Sequence, residues 1–161
     1  MITIVSGGQT GVDLGALDAA LEAQAPCGGW CPTGRINELG VIPEHYPLKE
    51  LKKGGYFLRT VQNIIDSDGT LILYFGEIEG GTEETLFRCI KQKRPYQLID
   101  AQETSEDRSI QLVLSFVKRH RIARLNVAGP RGSKWSGGHR FARQVISGTL
   151  ASLADEDETE S

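Results

Sequence analysis

Short apolar runs alternate with stretches of helical period along this chain. Ile2 to Ser6 is a β-branched run closed by Gly7 and Gly8, the pattern of a buried strand. Leu14, Leu17 and Leu21 then recur at helical spacing, and Thr10 with Asp13 three residues on reads as a capping box. Ala25 to Cys31 predicts a second strand. Pro32 to Lys53 has no sustained period and predicts a long ordered loop over the site. Helical pattern returns over Arg59 to Asp66, and Thr70 to Phe75 is an apolar strand ending at Gly76. Thr82 is placed to cap a helix reaching about Lys93. Tyr96 to Ile99 reads as a strand, Asp107 to Arg121 as a helix with Ile110, Val113, Leu114 and Val117 on one face, Leu125 to Ala128 as a strand, and Gly138 to Leu153 as a final helix.

Strands alternating with helices require right-handed crossovers, so the pattern predicts an α/β, Rossmann-like doubly wound domain. Its mostly parallel sheet has about five strands and helices on both faces. At 161 residues the chain fits one domain, assigned to residues 1–154. Residues 155–161 hold five acids and no base, and predict a disordered acidic tail. Without that tail the body has 18 basic and 16 acidic residues, so the formal charge of −3 describes the tail more than the domain. No apolar run reaches membrane-spanning length and no signal-peptide pattern opens the chain, so a cytoplasmic protein is expected. The odd count of three cysteines, Cys27, Cys31 and Cys89, agrees with a reducing compartment and predicts neither a disulfide framework nor a metal site. Lys118 to Arg124 is basic but closes a helix, where cations suit the dipole, so no nucleic-acid surface is read there.

The nineteen glycines cluster where chemistry is expected. In such a sheet ligands bind beyond the carboxyl ends of the strands, and the first turn, Ser6-Gly7-Gly8-Gln9-Thr10-Gly11, predicts a backbone cradle for an oxyanion. It matches neither G-x-G-x-x-G nor the P-loop, which argues against ordinary dinucleotide binding and ATP hydrolysis. Gly80-Gly81-Thr82 closes a neighbouring strand in the same way. Arg131, Ser133 and Lys134 follow the last strand and suit an oxyanion clamp. Thr33, Gly34 and Arg35 enter from the long loop, and Arg59, Thr60 and Asn63 from one side of a helix. These residues are the candidate ligand-binding set. No catalytic or metal-ligating residue is assigned.

Val5-Ser6-Gly7-Gly8-Gln9-Thr10-Gly11-Val12-Asp13, Cys31-Pro32-Thr33-Gly34-Arg35, Arg59-Thr60-x-x-Asn63, Gly80-Gly81-Thr82 and Asn126-Val127-Ala128-Gly129-Pro130-Arg131, in that order, resemble the molybdenum cofactor carrier protein family. The resemblance implies a Rossmann-like homotetramer that binds the molybdenum cofactor or molybdate, protects the cofactor, and delivers it to molybdoenzyme apoproteins without turnover. More distantly, the chain is similar to lysine-decarboxylase-like cytokinin-activating phosphoribohydrolases, whose motif P-G-G-x-G-T-x-x-E supplies a catalytic Glu. Aligned on Gly81-Thr82, this chain has Thr85 in that slot; Glu84 stands one residue early, about 100° around a helix. Cleavage of nucleoside 5′-monophosphates is therefore the alternative reading, and a nucleotide-sensing module a third.

Overall fold

A computed structural model describes residues 1–160 of the chain. Its central sheet consists of β1 (Thr3–Val5), β2 (Cys27–Gly28), β7 (Gly69–Tyr74), β8 (Tyr96–Asp100) and β9 (Arg124–Ala128). The order is β2-β1-β9-β7-β8 and every pairing is parallel, with Ile4 opposite Leu125, Thr70 opposite Asn126 and Ile72 opposite Leu98. The last strand thus lies between the first and the seventh. The chain winds outward to β2 on one side and to β8 on the other, so the loops after β1, β7 and β9 part around a crevice at the switch point.

Helices α1 (Val12–Glu22), α4 (Glu106–Arg119) and α5 (Gly138–Glu160) pack together, α5 against both others, while α2 (Tyr56–Ile65) packs against α3 (Gly80–Lys91). Strand alternation produces this division. Leu71 and Leu73 of β7 and Leu125 and Val127 of β9 are buried among Val12 and Ala16 of α1, Val113 and Phe116 of α4, and Val145 of α5. Their neighbours Thr70, Ile72 and Asn126 point to the opposite face. Helix α4 shows how local signals set the boundaries: the Ser105 hydroxyl accepts the Arg108 amide at 3.1 Å, acids occupy its first turn and Lys118 and Arg119 its last.

Three expectations need correction. The anticipated strand over Ala25 to Cys31 is two pieces, because Gly29 adopts φ +135° and turns the chain out of the sheet. Beyond it β3 (Trp30–Cys31) pairs with β6 (Lys49–Glu50), and the long loop folds a hairpin from β4 (Ile36–Asn37) and β5 (Gly40–Val41). This loop is ordered by its own small core of Cys31, Ile42, Tyr46 and Leu48 against Leu17 of α1. Thr10 and Asp13 form no capping box: the cap of α1 is Gly11, with no side-chain bond. Finally, residues 155–160, read as a disordered tail, continue α5, with Lys118 Nζ 2.7 Å from Glu156 Oε1. No Pro or Gly follows Gly148 to stop the helix, and extending an existing helix avoids the cost of nucleation. Ser161 lies outside the described residues.

Candidate functional site

A crevice of about 760 Å³ opens at the carboxyl ends of the strands. Of the residues singled out from sequence, Gln9, Arg59, Thr60, Gly80, Gly81, Thr82, Arg131 and Lys134 line it. Helix α3 begins there with Glu79 in an extended conformation and no side-chain cap. A β-carbon at Gly80 or Gly81 would meet nothing within 4 Å, so the positive end of the helix faces open space. Thr85 and Glu84 also line the crevice, and the Thr85 hydroxyl donates to the Gly81 carbonyl at 3.0 Å. Glu84 Oε1 accepts from Arg88 Nε at 2.9 Å.

The first glycine loop is not an open cradle, because it already holds an internal anion. The Asp13 carboxylate accepts the Gln9 amide at 3.1 Å and the Gly7 amide, and lies 3.6 Å from Arg59 Nη1. Burial pushes the Asp13 carboxyl up to about 6, against the pull of the guanidinium and the two amides. Ser6 is fully buried; its hydroxyl donates to the Asp13 carbonyl and accepts the Gly8 amide. A β-carbon at Gly7 would stand 1.8 Å from Arg59 Nη1, so a side chain there would displace the guanidinium. Gly8 faces away from the crevice. Its φ is +79°, and a β-carbon would meet Leu48 Cδ1 at 2.4 Å. Gly11 packs against the backbone of the loop after β9, 2.7 Å from the Pro130 carbonyl by the same measure.

Thr10 and Ser133 clamp these loops together through Glu38, a residue the motif reading passed over. Glu38 accepts from the Thr10 hydroxyl, from the Ser133 amide at 3.0 Å and from the Ser133 hydroxyl at 2.5 Å; Thr10 Oγ1 accepts the Gly132 amide at 2.9 Å. The Ser133 and Thr10 hydrogen bonds hold the Glu38 carboxyl below the ordinary value. Arg131 Nε reaches the same carboxylate at 3.3 Å. Lys134, by contrast, makes no ion pair among the described residues.

The remaining sequence candidates lie outside the crevice and organise the loop and α2. Arg35 donates to the carbonyls of Leu48, Ile42, Pro43 and Tyr46. Thr33 donates to Leu51 and Gly54, and the Gly34 amide to Glu50. Asn63 is a latch, accepting the Trp30 amide at 2.8 Å and donating to its carbonyl at 3.0 Å. Conversely, Asp13, Tyr56, Phe57, Phe75, Glu77, Glu79 and Trp135 line the crevice without having been singled out. Phe75 preceding Gly76 at a strand end, and Trp135 directly after Lys134, were the available signals. Among the described residues no cluster of three or more His, Cys, Asp or Glu side chains is placed to hold a metal ion. No helix of the described residues is long and apolar enough to cross a membrane.

A parallel sheet whose first, seventh and last strands send their carboxyl-end loops around a charged crevice defines a Rossmann-like α/β protein. Residues 4–150 match the model of the Circularly permutated YpsA SLOG family, and the chain belongs to that family. A protein from Syntrophus aciditrophicus SB, described as a "Putative molybdenum carrier protein", has a crystal structure similar to this one. The TM-score is 0.90 and the identity 39%, over 93% of this chain and 95% of that one. The family resemblance drawn from the glycine-rich and basic motifs is thereby borne out. No curated protein matches the chain.

Proposed function

We propose that the crevice binds an anionic, phosphate-bearing small molecule, and that the protein carries and protects the molybdenum cofactor for delivery to molybdoenzyme apoproteins. The observation that carries this reading is the uncapped, glycine-lined start of α3 sharing one crevice with Arg59, Arg131 and Lys134. The carrier description of the Syntrophus protein supports molybdenum cofactor, or molybdate, as the cargo. Turnover is not part of the proposal: Thr85 has no acid–base capacity at neutral pH, and Glu84 is engaged by Arg88. We place the carrier in the cytoplasm, where reducing conditions suit free Cys27, Cys31 and Cys89. We also infer a homotetramer, since α2 and α3 leave Leu58, Phe87 and Ile90 between 45% and 54% exposed.

One observation favours the alternative, a nucleoside 5′-monophosphate phosphoribohydrolase. Asp13 lines the crevice with its carboxyl raised toward the range useful for general acid–base catalysis. Two measurements separate the readings. Protein purified from a molybdenum-replete host is expected to contain molybdenum and to yield fluorescent oxidised pterin. Incubation with adenosine 5′-monophosphate is expected to release no adenine. Protein-dependent release of free base, with no bound metal, would favour the enzyme.

A further inference from the structure

Four donors of the kind that hold an oxyanion converge on a side chain of the protein itself. The Glu38 carboxylate takes the Thr10 hydroxyl, the Ser133 amide at 3.0 Å, the Ser133 hydroxyl at 2.5 Å and Arg131 Nε at 3.3 Å. Arg131 is also a wall of the crevice, and its side chain is 54% exposed. One cation of the crevice is therefore engaged by a tethered carboxylate. Glu38 sits at the tip of the β4–β5 hairpin, and polar contacts tie that tip to the crevice loops. Ile36, Leu39 and Val41 are 46%, 85% and 73% exposed, so lifting the tip uncovers little apolar surface. Besides Glu38, the ties are Asn37, donating to the Gly8 carbonyl at 3.1 Å, and Gln9, donating to the Ile36 carbonyl at 3.4 Å. The base of the hairpin is fixed. Ile42 is fully buried and its amide donates to the Arg35 carbonyl at 2.7 Å, while Arg35 donates to carbonyls from Ile42 to Leu48. An exposed ion pair such as Arg131 with Glu38 contributes little, so an anion arriving in the crevice can compete for the guanidinium.

Resting on the reading that this crevice binds an anion, we propose that Glu38 is a tethered competitor and the β4–β5 hairpin a strap. In the empty protein the strap holds Arg131 and Ser133 closed; it lifts when an incoming anion takes Arg131 from Glu38. Binding and hairpin position are thereby coupled, and the coupling is reciprocal: whatever favours the lifted hairpin also tightens anion binding. The hairpin swings on its fixed base at Arg35 and Ile42, and its return favours release.

Calorimetry with inorganic phosphate on the full chain tests this in the wild type, Glu38→Gln and Asn37→Ala. Glu38→Gln keeps the shape of the side chain and removes its charge. Asn37→Ala keeps that charge and cuts the tie to Gly8. Neither side chain belongs to the core, so both variants should fold. Both should bind phosphate more tightly than the wild type, Glu38→Gln by about fivefold, with the gain shrinking at high salt. In the wild type, hydrogen exchange of the amides from Asn37 to Val41 should quicken when phosphate is added, whereas a ligand that packed against a closed hairpin would slow it. Equal or weaker binding by Glu38→Gln would show that Glu38 positions Arg131 for the anion; the strap would then be wrong while the anion reading stands. A gain confined to Glu38→Gln, or hairpin exchange that phosphate does not quicken, would reduce the effect to charge repulsion and also end the proposal. Absence of phosphate binding by all three proteins would sink both this proposal and the reading beneath it.

Discussion

Asp13 and Arg59 show why a glycine motif does not by itself locate an anion. The guanidinium of Arg59 lies over the bare backbone of Gly7 and beside a carboxylate that is only 4% exposed. Because the Asp13 carboxyl is higher in the folded chain than the ordinary 3.8, folding favours its protonated form. The resulting stabilisation is fully present below about 3.8 and is lost as pH rises through about 6. The loss should be about 3 kcal/mol between pH 3.5 and 7.5, from 1.36 kcal/mol per pKa unit. Denaturant unfolding at several pH values should show Asp13→Asn lacking this component of the slope; parallel curves for the two proteins would show that Asp13 does not titrate in the fold. Sulfate, which does not titrate in this range, should bind more tightly as pH falls through 6, since the neutral carboxyl no longer competes for Arg59. At Gly8 the expectation is structural. Gly8→Val combines a positive φ with a clash on Leu48, so the melting temperature should fall, by about 1 to 3 kcal/mol of stability, without a specific loss of anion affinity.

At the scale of elements, the start of α3 and the loop after β9 supply the positive groups on which the proposed anion binding rests. Lys134→Ala should weaken phosphate binding by about 1.5 to 3 kcal/mol if the ammonium bonds the anion directly, and the deficit should shrink at high salt. Calorimetry at two ionic strengths checks this; an unchanged affinity would remove Lys134 from the site. Helix α5 carries a weaker expectation. Truncation before Asp155 deletes the Lys118–Glu156 pair, whose side chains are 56% and 45% exposed, so the thermal melt should shift little. These elements were legible in sequence to different degrees. β7 and the Gly80-Gly81-Thr82 helix start stood out because their signals are local. The break at Gly29 did not, since it depends on pairing with Lys49 and Glu50, far along the chain. Phe75 and Trp135 are likewise joined only by the adjacency of β7 and β9. The Asp13 carboxylate was hidden by its own motif, for of the pair that suggested a capping box Asp13 accepts the Gln9 amide and Thr10 bonds Glu38.

For the whole molecule, sheet order determines where chemistry can occur. Inserting β9 between β1 and β7 brings the loops after all three strands to one crevice, and α2 and α3 leave apolar side chains facing outward. If those side chains join subunits, Phe87→Glu with Ile90→Lys should convert a tetramer to smaller species in sedimentation; a wild-type monomer would refute the inferred assembly. The central claim is that the crevice at the start of α3 holds the cargo. Gly81→Leu fills that space without straining the backbone, because a β-carbon there meets nothing within 4 Å. Native mass spectrometry of both proteins from molybdenum-replete cells is the direct measurement. The wild type should carry the added mass of a molybdenum-bearing pterin, and folded Gly81→Leu should not. Equal loading of the two proteins would contradict the account.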